Sequence, residues 1–374
     1  MPNTRSLALG IMSGTSADGV SLALIESGAR LRVLADATYP YHPEFRARLL
    51  RAPNLSVRLL SELDFDLGRL FSQAALRFLK KCRVAPGRLR AAGSHGHTAV
   101  HRPSGANPST LQIGEASFLS ESLGVPIVCD FRPRDMAAGG EGAPIVPAFD
   151  EALFGNGPAA VLQNIGGIAN AAVVGKGVAA VAFDNGPGNC LIDLAVMRMT
   201  RGKATFDRGG KIALSGIIDQ GRVAALLKDS FFKKSPPKSL DRSKFSQEYL
   251  RRYFPSGKMR HQDTVATLTY LTAKAIVDSY RVHLAGFRPR RVIVSGGGAL
   301  NAALMTHLRL MLSPLPVTEI DAYGIPAMAK EPAAIAWMAL RALSGRANHC
   351  PEASGAKGVR ILGKIIPASP SRFR

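Results

Sequence analysis

Three glycine-rich loops, widely spaced and each preceded by an apolar run, constrain this chain more than anything else in it. They are Gly10-Ile-Met-Ser-Gly-Thr-Ser-Ala-Asp-Gly19, Phe183-Asp-Asn-Gly-Pro-Gly-Asn189 and Ser295-Gly-Gly-Gly-Ala-Leu-Asn301. The runs before them, Leu7–Gly10, Val178–Phe183 and Arg291–Ser295, read as β-strands. Glycine at a strand end lets the backbone turn several N–H groups onto one anion. Three such loops, two of them carrying an aspartate, point to an α/β fold that holds a nucleotide between two lobes.

The rest of the pattern agrees with that class. Leu7–Ile25 reads as a strand, a turn and a return strand, and Val161–Val174 repeats the plan around Gly166-Gly167. Two halves that begin alike predict an internal duplication. Leu63–Lys81 carries Leu63, Leu67, Leu70, Phe71, Ala74 and Phe78 at helical spacing. Further helices are expected at Ala116–Leu123, Cys190–Thr200, Val265–His283, Asn301–Met311 and Glu331–Leu343, a strand at Val125–Cys129, and an exposed turn at Pro236-Pro237. The lobes divide near Asp150, into residues 1–150 and 151–374, with a return of the last residues to the first lobe left open.

The loops offer specific chemistry. Ser13, Thr15, Ser16 and Asp18 supply hydroxyls and a carboxylate, suited to phosphate and Mg²⁺, which takes hard oxygen ligands. No Gly-Lys-Ser/Thr follows, so this is not a Walker A loop; the same residues also serve an ordinary hairpin turn. Asp184 stands at a strand end, placed as a general base, a metal ligand, or a cap for the next helix. Gly296, Gly297 and Gly298 permit close approach of an adenosine or phosphate group before a helix. Gly93-Ser-His-Gly-His-Thr98 and His101 read as a turn that supports the site or touches substrate, with metal binding as the alternative. Arg132 and Arg134, between Asp130 and Asp135, fit either a carboxylate clamp or an internal ion-pair cluster.

Composition sets the outer limits. The chain has 374 residues, 46% hydrophobic and 20% charged, which is ordinary for a globular protein of two or three domains. No apolar run is long enough for a membrane helix, and the N-terminus has no signal-peptide plan, so a cytoplasmic protein is expected. Cys82, Cys129, Cys190 and Cys350 are scattered and read as free thiols. The net charge of +21 raises nucleic-acid binding. The excess is diffuse, densest from Lys228 to Arg260, and no nucleic-acid motif accompanies it. A solvated face, or attraction of an anionic substrate, accounts for it.

Taken together, the motifs resemble those of the anhydro-N-acetylmuramic acid kinase family, within the sugar kinase/Hsp70/actin superfamily. The resemblance runs from Leu7 to about Pro367 and rests on ordered segments. These are Met12–Gly19, Ser94–Thr98, Thr110–Gly114, Asp130–Phe149, Asn164–Asn170, Phe183–Asn189, Gln262–Thr269, Gly296–Asn301 and Gly324–Glu331. It implies a two-lobed actin-like ATPase fold of duplicated RNase H-like domains. It also implies a reaction in which ATP and water convert 1,6-anhydro-N-acetylmuramic acid to N-acetylmuramic acid 6-phosphate and ADP, in cell-wall recycling. By this resemblance Asp184 is the catalytic base. Ser13, Gly14, Thr15, Ser16, Ala17, Asp18, Gly19, Val20 and Ser21 form the ATP-phosphate loop, with Asp18 a candidate Mg²⁺ ligand. Gly186, Gly188, Asn189, Gly296, Gly297, Gly298 and Asn301 complete the nucleotide site, and Arg132, Glu331 and His95 contact sugar. The partners implied are ATP and the anhydro-sugar, with no nucleic acid and no membrane, in a homodimer.

The chain departs from the family pattern at several places. Ser21, Gly209 and Met328 stand where the family usually has carboxylates, and His97, Asn185 and Pro332 replace the usual Gln, Thr and Ala. Lys238-Ser-Leu-Asp-Arg242 replaces a usual Lys-Ser-Thr-Gly-Arg. Retained activity is expected because Asp18, Asp184 and Glu331 remain. A nucleotide- or muropeptide-binding sensor without catalysis is the alternative.

Overall fold

A computed structural model of the chain describes residues 5–178, 181–236, 238, 240 and 244–368. Contacts divide it into two units, Met1–Leu153 with Gly324–Arg374, and Phe154–Tyr323. In the first, β1 (Ser6–Ser13), β2 (Gly19–Ser27) and β3 (Arg32–Pro40) form an antiparallel meander. β4 (Leu89–Arg102) then joins β1 in parallel, β5 (Ser109–Ile113) folds back on β4, and β6 (Ile127–Cys129) joins β4 in parallel.

The second unit repeats the plan. β7 (Ala160–Ile165), β8 (Ile168–Val174) and β9 (Val181–Pro187) form a meander. β10 (Arg291–Ser295) joins β7 in parallel and β11 (Val317–Glu319) joins β10 in parallel. Both units therefore place two parallel strands on the outer side of their meander's first strand. This is the duplicated RNase H-like α/β arrangement that the sequence leads one to expect.

The last strand, β12 (Lys364–Ile366), pairs antiparallel with β6 in the first unit. Residues from Gly324 onward thus belong to the first unit, whereas a cut at 150 assigns them to the second lobe. The physical reason is the helix Lys330–Leu343. Its small apolar face, including Ala333, Ala336 and Ala339, is buried with Ala8, Ala23, Ala91 and Val128 of the first sheet. Contact is so close that a Cβ on Gly10 would lie 1.7 Å from the Pro332 carbonyl oxygen. Gly10 therefore serves helix packing, and β1 continues through Ser13 before the loop begins. Overpacking of this kind costs ~1–3 kcal/mol. Gly10→Ala is expected to lower the urea unfolding midpoint accordingly; an unchanged midpoint would mean that the helix docks elsewhere.

Local signals explain the other boundaries. The helix Val57–Lys81 starts before the expected Leu63 because the Ser56 hydroxyl accepts the Leu59 amide (3.4 Å), and it buries Leu63, Leu67, Phe71, Ala74 and Phe78 as the spacing requires. The helix Cys190–Thr200 falls where expected. Gly93–Thr98, expected as a turn, is the middle of β4. Residues 179–180 of the expected Val178 strand, Pro237 of the expected turn, and Ser239, Asp241 and Arg242 lie outside the described residues. Among the described residues no helix is long and apolar enough to cross a membrane.

Candidate active site

In the first unit the loop after β1 is a tight turn, closed by the Ala17 amide donating to the Gly14 carbonyl (2.9 Å). Ala17 is buried in the left-handed region at φ 51°, a strained state for a residue with a Cβ. The loop is anchored on both sides. The Ser13 hydroxyl is hydrogen-bonded to His97 Nδ1 (3.1 Å), both buried. Arg46 donates from Nη2 to the Ser16 carbonyl (3.1 Å) and to Asp18 Oδ1 (3.2 Å). Arg46 came with no sequence signal; it sits in the helix Pro43–Leu50, outside every motif. Gly19, Val20 and Ser21 already belong to β2, and the Ser21 hydroxyl is hydrogen-bonded to Thr38 (3.0 Å).

Arg132, His95 and Glu331 come together in the same unit. β6 ends at Cys129, and the next residue, Asp130, with φ of 53°, turns the chain into the short helix Phe131–Ala137 that carries Arg132. Arg132 Nε donates to His95 Nε2 (3.1 Å) and Nη1 to the Gly142 carbonyl (2.8 Å), which fixes the plane of the guanidinium. A guanidinium has only donors, so His95 Nε2 accepts, and its proton sits on Nδ1 facing the Gly96 carbonyl (3.3 Å). Burial, then the neighbouring Arg132 charge, pushes His95 down to about 3, so the ring is neutral. Burial lowers Arg132 to about 10, against the charges of Glu331 and Asp135, and it remains cationic at neutral pH.

Asp130 and Asp135 do not form the ion-pair cluster with Arg132 and Arg134 that the sequence left open. Asp130 pairs with Lys364 (2.8 Å), and Arg134 donates to the Ile361 carbonyl (2.8 Å). Buried Asp135 accepts from Ser354 (2.6 Å) and the Gly142 amide (2.6 Å) and bonds His349 (2.5 Å), tying the Gly142 turn to the last segment. Burial raises its carboxyl, but these hydrogen bonds outweigh it and leave a lowered pKa.

In the second unit Asp184 lies inside β9, with Asn170 as its partner on β8. The register slips between Ala169 and Asn170, leaving Asn185 as the extra residue of a bulge. Asn185 therefore points into the core, donating to Ser279 (2.7 Å) and accepting from Gln163 (2.9 Å). Asp184 Oδ2 accepts the Leu240 amide (2.7 Å). Burial pushes the Asp184 carboxyl up to about 6, opposed by the Leu240 amide and the Lys238 charge. A carboxylate titrating there is matched to proton abstraction near neutral pH.

The remaining loop residues are engaged within the unit. The Gly188 and Asn189 amides donate to the carbonyls of Gly167 (2.9 Å) and Gly166 (2.8 Å), stitching this loop to the β7–β8 turn. Gly186 lies in β9. In the third loop Gly296 has φ 81°, and a Cβ there would lie 2.7 Å from Asn164 Oδ1, so only glycine fits. Gly297 and Gly298 open a 3₁₀ turn, and Asn301 caps the helix Ala302–Leu312 by accepting the Leu304 amide (3.1 Å). The side chain of Asn301 thus holds the helix that follows the loop.

No group of three metal-ligating side chains occurs among the described residues. His95, His97 and His101 face separate partners, His101 being hydrogen-bonded to Thr110 (3.2 Å). The oxygen set of the first loop does fit a hard cation: Mg²⁺ is held by one or two carboxylates with phosphate oxygens and water. Asp18, whose side chain is 64% exposed at the loop's end, is the residue that would hold it. Of the three positions where an acid is usual, Ser21 is paired as above, Gly209 adopts φ 68°, and Met328 is exposed.

A family model described as anhydro-N-acetylmuramic acid kinase matches residues 6–368. A protein of that name from Pseudomonas paraeruginosa is 41% identical over 367 residues, covering 96% of this chain and 98% of its own. Its namesake from Caldanaerobacter subterraneus subsp. tengcongensis is 37% identical, covering 96% of each. A ROK family glucokinase from Streptomyces griseus, solved with glucose and AMPPNP, aligns over 90% of this chain and 99% of its own at TM-score 0.39 and 13% identity. With its motifs in order from the phosphate loop to Glu331 and relatives of this identity along its length, the chain belongs to the anhydro-N-acetylmuramic acid kinase family.

Proposed function

We propose that this chain opens 1,6-anhydro-N-acetylmuramic acid with water and phosphorylates its O6 from ATP, giving N-acetylmuramic acid 6-phosphate and ADP. Family membership supports the reaction, and the observation that carries the mechanism is Asp184, oriented by the Leu240 amide and raised to about 6. Its carboxylate takes a proton from water as the water oxygen bonds to C1. The C1–O6 bond breaks, and O6 takes the γ-phosphoryl group as the bond to ADP breaks. The proton on Asp184 then returns to solvent.

The other residues bind and orient. Arg132, its guanidinium plane fixed by His95 and Gly142, presents a cation suited to the sugar's lactyl carboxylate, with Glu331 beside it for hydroxyl or amide contacts. The Gly14–Asp18 turn, with the Thr15 and Ser16 hydroxyls, would receive the phosphates, and the Gly296–Gly298 loop would lie near the adenosine. Mg²⁺ at Asp18 would neutralise charge on the β- and γ-phosphates. The family resemblance extends the proposal to a cytoplasmic homodimer.

The pH dependence tests the base directly. Asp184 acts only when ionised, so kcat/KM for the sugar is expected to fall as pH drops through about 6, with a slope of one. A profile flat to well below that pH would show that the base is another group.

A further inference from the structure

Asp184 is bracketed by a segment distant in sequence. Its amide donates to the Lys238 carbonyl (3.0 Å), and the Leu240 amide donates back to its carboxylate (2.7 Å). The buried Lys238 side chain places its ammonium over the rings of Phe231 (4.9 Å) and Phe183 (5.7 Å), the latter adjacent to Asp184 on β9. Aromatic faces stabilise a cation where water is scarce. A cavity of about 180 Å³, lined in part by Asn185, Lys233, Lys238, Asp278 and Ser279, adjoins it.

We propose that Lys238 is a positioning residue for Asp184: its backbone and the Leu240 amide fix where the carboxylate points, and its ammonium supplies the compensating positive charge. This rests on the reading of Asp184 as the general base. Burial lowers the Lys238 pKa and the Asp184 charge raises it, while Lys238 in turn opposes the burial of Asp184.

The other charged or titratable groups on elements packed against β9 do not replace it. Asp278, on the helix His261–His283, accepts from Lys274 (2.6 Å) and lies 3.8 Å from Arg281. His283 packs edge-on against Phe183 (5.3 Å), and burial, then Lys238, lowers its pKa, so it is neutral at neutral pH. Tyr280 donates to Gln163 (2.6 Å). Lys233, on the turn Ser230–Lys233, lines the cavity. On β8 the partner of Asp184 is the uncharged Asn170.

The test is the pH profile of kcat/KM for the sugar in wild type, Lys238→Met and Lys238→Arg. Removing the cation moves the acid limb of Lys238→Met to higher pH, so kcat/KM falls about fivefold more at pH 6 than at pH 8. Lys238→Arg restores the wild-type limb, and the KM for ATP stays put in both. Equal loss at both pH values would reduce Lys238 to a packing residue and overturn the proposal. Should Lys238→Met fail to fold, Lys238→Gln carries the same two outcomes. Asp184→Asn runs alongside. Turnover retained there removes the base assignment itself, whereas an inactive Asp184→Asn with an unmoved Lys238→Met limb removes only the role of Lys238.

Discussion

Asp184→Asn is expected to lower kcat by about 10³-fold or more, within the range that a general base contributes, while ATP affinity stays within about twofold. The substitution keeps size and the hydrogen bond from the Leu240 amide but removes the basic oxygen pair. Burial already holds this carboxyl near 6, so neutralising it relieves rather than adds an electrostatic burden. The protein is therefore expected to melt no lower than wild type. Loss of turnover with intact folding and ATP binding isolates chemistry from binding; wild-type turnover would remove Asp184 from the mechanism.

The second large effect is expected at Arg132. Replacement by alanine removes the donor to His95 Nε2 and to the Gly142 carbonyl, and leaves Glu331 without that cation. The sugar KM is expected to rise about 10²-fold, the scale of a lost charge-assisted bidentate contact, with ATP KM little changed. Arg132→Lys retains charge but not the planar fork, so it is expected to recover only part of the loss. Steady-state kinetics with each substrate varied in turn checks both. An unchanged sugar KM in Arg132→Ala would mean that this cation serves the fold alone.

The sequence made the local features legible and the distant ones not. Both hairpins and the helix Cys190–Thr200 follow from periodicity, glycine placement and motif order, whereas Asp184, expected at a strand end, lies inside β9 because the strand runs on through a bulge to Pro187. Glycines were ambiguous, because a glycine that permits a turn and one that admits a neighbouring helix look alike. Gly93 reads as part of a turn, yet a Cβ there would meet the Ile335 carbonyl oxygen at 2.5 Å, and the segment is a continuous strand. Asn301 likewise fits either a nucleotide contact or a helix cap; its side chain caps. The return of Gly324–Arg374 to the first unit depends on an alanine face finding β1 and β4, a fact about packing at long range. The same holds for the partner of the base: Leu240 lies 56 residues beyond Asp184, and Lys238, though it heads a segment that resembles a family motif, carries no sequence sign of the strand it meets.

In the proposed mechanism the three positions without the usual acids are expected to bear on efficiency rather than on the reaction's existence. Ser21 and Gly209 are accommodated locally, Ser21 by Thr38 and Gly209 by its left-handed backbone, while Asp207 caps the following turn through the Ile212 and Ala213 amides (both 2.9 Å). Asp18, Asp184 and Glu331 keep the charges that the proposed chemistry uses.

The most direct measurement is turnover of 1,6-anhydro-N-acetylmuramic acid with Mg–ATP in ¹⁸O-water, followed by mass analysis of the sugar product. The proposed mechanism predicts ADP release matched to a product heavier than the substrate by one water and one phosphoryl group, with the heavy oxygen on the sugar at C1 and none on the phosphate. ADP release with unaltered sugar, or heavy oxygen appearing in free phosphate instead, would contradict it.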